Sequence, residues 1–112
     1  MSERSLLIRQ LPCIACLLWS ERHEQSITTG QPTEEHHLNI GGHAGQKRLG
    51  TCYSIPLCLH HHRGEAPYKL SATVAAAVYG PSLSRQSKKF RETFGTDQDL
   101  LTRTNEMIKE LH

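Results

Sequence analysis

Nowhere in the 112 residues do about 18 apolar residues run together, so the sequence offers no candidate for a membrane-spanning helix. Between Met1 and Leu18 the apolar residues are interrupted by Arg4, Arg9, Gln10 and Pro12, which argues against a secretory leader and for a cytoplasmic protein. Aromatic residues are scarce at 5%, with a single tryptophan, Trp19, and hydrophobic residues reach only 37%. Such a composition gives a thin core, and small domains with thin cores usually depend on a disulfide or a bound metal. Strong net charge is missing too: the formal value is +2, so composition argues neither for nor against nucleic acid, and local clusters must decide. No internal repeat or low-complexity linker divides the chain, which reads as one domain over residues 1–112.

Glycine and proline punctuate what is present. Residues 1–18 read as an extended lead into a knuckle that begins at Cys13, just after Pro12, and residues 19–33 as a polar surface loop containing Gly30 and Pro32. Glu34 to Asn39 is compatible with a short strand, after which Gly41, Gly42, Gly45 and Gly50 break regular structure around Lys47 and Arg48. Tyr53 to Leu57 is strand-like, and Cys58 to Arg63 begins a short helix. Beyond Gly64 the Ala-rich stretch Leu70 to Val78 stops at Gly80-Pro81. Ser82 or Ser84 is placed to cap a helix through Phe90 to Phe94, with Gly95 as its stop. Thr96 and Asp99 resemble a capping box, and Leu100, Leu101, Thr104, Met107, Ile108 and Leu111 then share one helical face, which could pair with a second copy.

Four cysteines and a run of histidines carry the chemistry. Cys13 and Cys16 have the spacing of a zinc half-site, and Cys58 and His61 repeat that offset after 41 intervening residues. In a reducing cytosol the first pair is better read as metal-binding than as a disulfide. The bland reading is that these cysteines are small buried apolar side chains; a rival ligand set takes Cys52 in place of His61. His36, His37 and His62 remain nearby. Metal-assisted phosphodiester cleavage needs a cation held by few protein ligands and a base close to it that does not bind it. Neighbouring residues of an extended segment point to opposite sides, so His36 and His37 could divide these tasks, with His62 as a second ligand. Against this, His60-His61-His62 also suits a solvated metal-scavenging surface.

The succession Cys-x-x-Cys, Glu-His-His, a Gly-rich basic loop, Ile-Pro-Leu-Cys and His-His-Arg-Gly resembles the HNH (ββα-metal) endonucleases. More narrowly it is similar to the phage and prophage family named for the recombination-enhancement, RecA-dependent nuclease, over roughly residues 12–108, with support from Tyr79 to Leu83, Lys89-Phe90 and Phe94-Gly95. The resemblance implies an α+β fold: a zinc knuckle and ββα-metal core over residues 12–64 and a helical tail over 65–112. It implies His37 as general base, His36 and His62 as ligands of a catalytic Mg²⁺ or other divalent cation, and Cys13, Cys16, Cys58 and His61 as ligands of a structural Zn²⁺. The implied reaction is DNA phosphodiester hydrolysis to 5′-phosphate and 3′-hydroxyl ends, with a RecA-type filament as a partner. One position departs from the pattern. Where the central Asn or His is expected the chain reads Gly50-Thr51-Cys52-Tyr53, which leaves Thr51, Cys52 or the more distant Asn39 to substitute, or water to complete the shell.

Arg85, Lys88, Lys89 and Arg91 form a basic cluster suited to DNA phosphates, or equally to a solvated helix face. Lys47, Arg48 and Arg63 lie nearer the proposed site, and Arg63, beside His62, is the foremost candidate for a phosphate contact. The competing class is a zinc-knuckle module that binds nucleic acid or protein without cutting; metal storage has no support outside the histidine run.

Overall fold

The computed structural model describes residues 3–38 and 53–111. Two helices come first, α1 (Glu3–Gln10) and α2 (Ile14–His23), followed by strand β1 (Thr33–His37). Strand β2 (Ser54–Cys58) runs straight into the short helix α3 (Leu59–Arg63), and α4 (Ala72–Tyr79), α5 (Ser87–Phe94) and α6 (Asp97–Glu110) complete the chain. The strands pair antiparallel, with Thr33 opposite Cys58 and His37 opposite Ser54. Helices α1, α2 and α6 pack against β2, all of whose residues are buried. Pro56 lacks an N–H, but in a two-stranded sheet each strand has an outer edge where no ladder donor is required.

The N-terminal third corrects the extended lead and the first part of the surface loop expected from sequence: α2 takes in residues 19–23, while 24–32 form the expected largely exposed irregular segment. Of the residues that break the apolar run there, Arg9 and Gln10 lie on the exposed face of helix α1, whose Ser5 and Ile8 are buried three positions apart. Arg4 ties this helix down, donating to the Ser54 carbonyl at 2.8 Å and to Asn105 at 2.9 Å. Ser5 donates to the Glu35 carboxylate at 2.7 Å. Pro12-Cys13 separates α1 from α2, which carries Trp19 through to His23; the Trp19 indole donates to the Val78 carbonyl at 2.8 Å.

The C-terminal half keeps closer to the sequence. Ser71 caps α4, accepting from the Val74 amide. Helix α5 starts later than expected: its N-cap is Gln86 without a side-chain bond, while Ser82 accepts from Arg85 N and so caps the turn before it. Thr96 and Asp99 do form a reciprocal capping box. Thr96→Ala is therefore expected to lower stability by about 1 kcal/mol, measurable as a shift in the urea midpoint at constant slope. On α6, Leu100, Leu101, Thr104 and Met107 are buried, so the face considered for self-association is spent on the core with Ile8, Ile14, Ile55, Leu57, Phe90 and Phe94. Only Leu111, about half exposed, stays outside.

Candidate metal centre

Cys13 lies at the N-cap of α2 and Cys16 in its first turn, so that the Cys16 amide points at the Cys13 sulfur, 3.4 Å away. Cys58 ends β2 and His61 lies one helical turn later in α3. The three Sγ atoms and His61 Nδ1 all lie within 4.8 Å of one another, and all four residues are buried. Four ligands around tetrahedral zinc would place sulfurs ~3.8 Å apart and sulfur and nitrogen ~3.5 Å apart. Cys16 and Cys58 sulfurs are 3.9 Å apart, and His61 Nδ1 lies 3.5, 3.6 and 3.3 Å from Cys13, Cys16 and Cys58. The residues fit zinc. The ring is oriented for it as well, since His61 Nε2–H donates to the Tyr79 carbonyl at 2.8 Å and leaves Nδ1 facing the sulfurs. Phe94 stands edge-on to the ring at 5.5 Å.

Burial pushes the Cys13 thiol well up, whereas hydrogen bonds from Cys13 and Cys16 pull Cys58 strongly down toward thiolate. Burial opposes charge on His61, but its bonds to Cys16 and Cys58 outweigh that and raise it to about 9. Without metal the cluster thus holds thiolate against imidazolium, and a divalent ion would take the place of those protons. Cys52, in the rival ligand set, lies outside the described residues, as do Asn39, Thr51, Lys47 and Arg48.

A second group forms on the other side of α3. His36 Nδ1 and His62 Nε2 are 3.2 Å apart, joining β1 to α3. His62 Nδ1 faces Glu34 Oε1 at 2.9 Å. Burial opposes ionisation of Glu34, yet the bonds from His62 and Arg63 hold its pKa below the ordinary value, so the carboxylate accepts and His62 Nδ1 carries the proton. His62 thereby turns its Nε2 toward His36. Burial, reinforced by His62, lowers His36 to about 4 and keeps that ring neutral at pH 7. Two ring nitrogens at this separation suit a shared divalent ion, whose nitrogen ligands would lie ~3.0–3.4 Å apart.

Strand alternation separates His37 from this pair. Thr33, Glu35 and His37 share the opposite face, where His37 Nε2 lies 3.8 Å from Glu35 and Glu35 also accepts from Ser54 at 2.8 Å. Arg63 is engaged as well: its Nε donates to Glu34 at 2.8 Å and its Nη2 to the other carboxylate oxygen. Arg85 donates to the Gly64 carbonyl at 2.8 Å, while Lys88 and Lys89 stand on the exposed face of α5. Arg85 packs so closely on Gly64 that a Cβ there would lie 2.6 Å from it, at a positive φ of 76° that already favours glycine. His60, packed against the rings of His61 and Tyr79, bonds the Gly80 carbonyl at 2.9 Å and belongs to neither site.

Sequence reasoning missed Glu34 and Glu35. The only signal was their place in Glu34-Glu35-His36-His37, where strand periodicity pairs each carboxylate with the histidine two residues on. Among the described residues no helix is long and apolar enough to cross a membrane. One family model, described as recombination enhancement, RecA-dependent nuclease, matches residues 2–109. No curated protein and no solved structure matches the chain.

Proposed function

The chain belongs to the recombination-enhancement, RecA-dependent nuclease family, and from that premise we propose that it is a metal-dependent DNA endonuclease of the HNH type. The observation that carries the proposal is the 3.2 Å approach of His36 Nδ1 and His62 Nε2, delivered by a strand and by the helix that follows its partner strand. In this reading Cys13, Cys16, Cys58 and His61 hold a structural zinc, and His36 and His62 hold the catalytic cation. When bound, that cation supplies charge to stabilise the departing 3′ oxygen of a phosphodiester.

The protein's own groups do the rest. Glu34 fixes the His62 tautomer and ring plane through Nδ1–H. His37 takes the proton of the attacking water. Its side chain is 56% exposed at the end of β1, which leaves it room to turn about χ1 from Glu35 toward the substrate. Arg63 contributes a phosphate contact through the guanidinium edge that Glu34 does not occupy, and Lys88, Lys89 and Arg85 extend the basic surface along α5 and the turn before it. Lys47 and Arg48 add charge from the Gly-rich segment. DNA is the substrate and a RecA-type filament the partner that the family description suggests.

Plasmid nicking by the purified protein across Mg²⁺, Mn²⁺ and other divalent ions tests this directly. His37→Ala is expected to reduce nicking by about a hundredfold or more while zinc content and melting stay unchanged. Unaltered cutting would remove His37 from the mechanism. A second reading has one observation in its favour, the place of His37 on the strand face away from His62. A non-cutting zinc-knuckle module would bind DNA in a salt-sensitive way and nick no plasmid under any of these metals.

A further inference from the structure

A cavity of about 260 Å³ opens beside His62, walled by Arg9, Thr33, Glu34, Glu35, His62 and Arg63. Two guanidiniums flank it, and they are not equivalent. Arg63 is matched by Glu34, and the same carboxylate orients His62, so full recruitment of Arg63 to a phosphate would loosen the imidazole as well. Arg9 makes no hydrogen bond or ion pair among the described residues and lies exposed in the last turn of α1. It is four residues beyond Ser5, on the helix face that Ser5 fastens to Glu35. The helix is thus anchored one turn below the free cation.

Resting on the nuclease reading of this cavity, the geometry points to Arg9 as a residue that binds a backbone phosphate of the DNA strand entering beside His62. A planar guanidinium on an anchored helix suits a phosphodiester, which offers two oxygens in a matching plane. The charge is uncompensated where Arg63's is not, so binding an anion requires no existing pair to break. The competing explanation is structural: a cation in the last turn of a helix also favours the helix dipole. That role would appear in melting temperature and not in DNA binding.

The experiment measures binding of a fluorescein-labelled DNA duplex by anisotropy over a range of salt, together with plasmid-nicking kinetics. It compares the full-length wild type with Arg9→Ala, Arg9→Lys and Arg22→Ala, the last removing the same charge from the exposed end of α2, outside the cavity wall. Arg9→Ala is expected to lower the slope of log K against log salt by about one and to raise KM about tenfold with little change in kcat. Arg9→Lys should recover most of the slope, and Arg22→Ala should resemble wild type. The assignment is overturned if Arg9→Ala changes only the melting temperature, or if Arg22→Ala matches it. Wild type that binds duplex without nicking defeats the endonuclease proposal, yet the slopes still judge Arg9; wild type that binds no DNA defeats both.

Discussion

Zinc removal by a strong chelator is expected to unfold the protein. Three buried sulfurs and one imidazole nitrogen converge from the start of α2, the end of β2 and α3, so the ion would cross-link elements far apart in sequence. A structural zinc contributes on the order of 10–16 kcal/mol in small domains, which matches or exceeds the ~5–15 kcal/mol that keeps a domain folded. With hydrophobic residues at only 37%, the remaining core has little reserve. Metal analysis should return one tightly bound zinc per chain, and chelation should abolish the far-ultraviolet circular dichroism of the helices. Cys16→Ser should accumulate as insoluble protein. An apo-protein that still melted cooperatively near the temperature of the metal-loaded form would contradict the zinc assignment.

The second large effect belongs to His62 and its carboxylate. His62→Ala removes one of two nitrogens proposed to hold the catalytic cation, and nicking should fall to background, roughly a thousandfold or more. Folding should survive, because the His62 side chain is a quarter exposed and lies outside the sulfur cluster. Glu34→Ala leaves both imidazoles in place but releases the His62 tautomer and frees Arg63. Losing such an orienting partner typically costs 10–100-fold in metal affinity or activity. Glu34→Gln, which keeps an acceptor oxygen for Nδ1–H, should fall between. Manganese titration followed by paramagnetic resonance separates affinity from chemistry; an unchanged midpoint in Glu34→Ala would show that the carboxylate does not serve the metal.

Spacing made the sulfur cluster legible, because the offset from Cys13 to Cys16 recurs from Cys58 to His61 and the ligands' chemistry admits few other uses. The capping box was equally readable, since its partners are three residues apart and need no tertiary information. The two N-terminal helices were not. Arg4, Arg9 and Gln10 disrupt an apolar run read linearly, yet on a helix Arg9 and Gln10 fall to the outside, Ser5 and Ile8 turn inward, and Arg4 reaches in to bond Ser54 and Asn105. The start of α5 was misplaced because serine caps a lone turn as readily as a helix, and Ser82 does the former. The pairing of Arg63 with Glu34 spans 29 residues, and no local pattern announces it. Such long-range partners decide which of several identical cations remains available, so Arg9 and Arg63 look alike on paper and differ in space.

The carbonyls that close α4 have a practical meaning for anyone hoping to trim this protein. Tyr79 and Gly80 each accept from one of two consecutive rings, His61 and His60, across 18 and 20 residues. A fragment stopped after Gly64 would retain every sulfur donor yet leave both imidazoles unmoored, with Phe94 no longer walling the nearer one. A unit that keeps both rings oriented therefore extends past the strand pair and α3: the C-terminal segment acts as a latch on a sulfur cluster to which it adds no ligand.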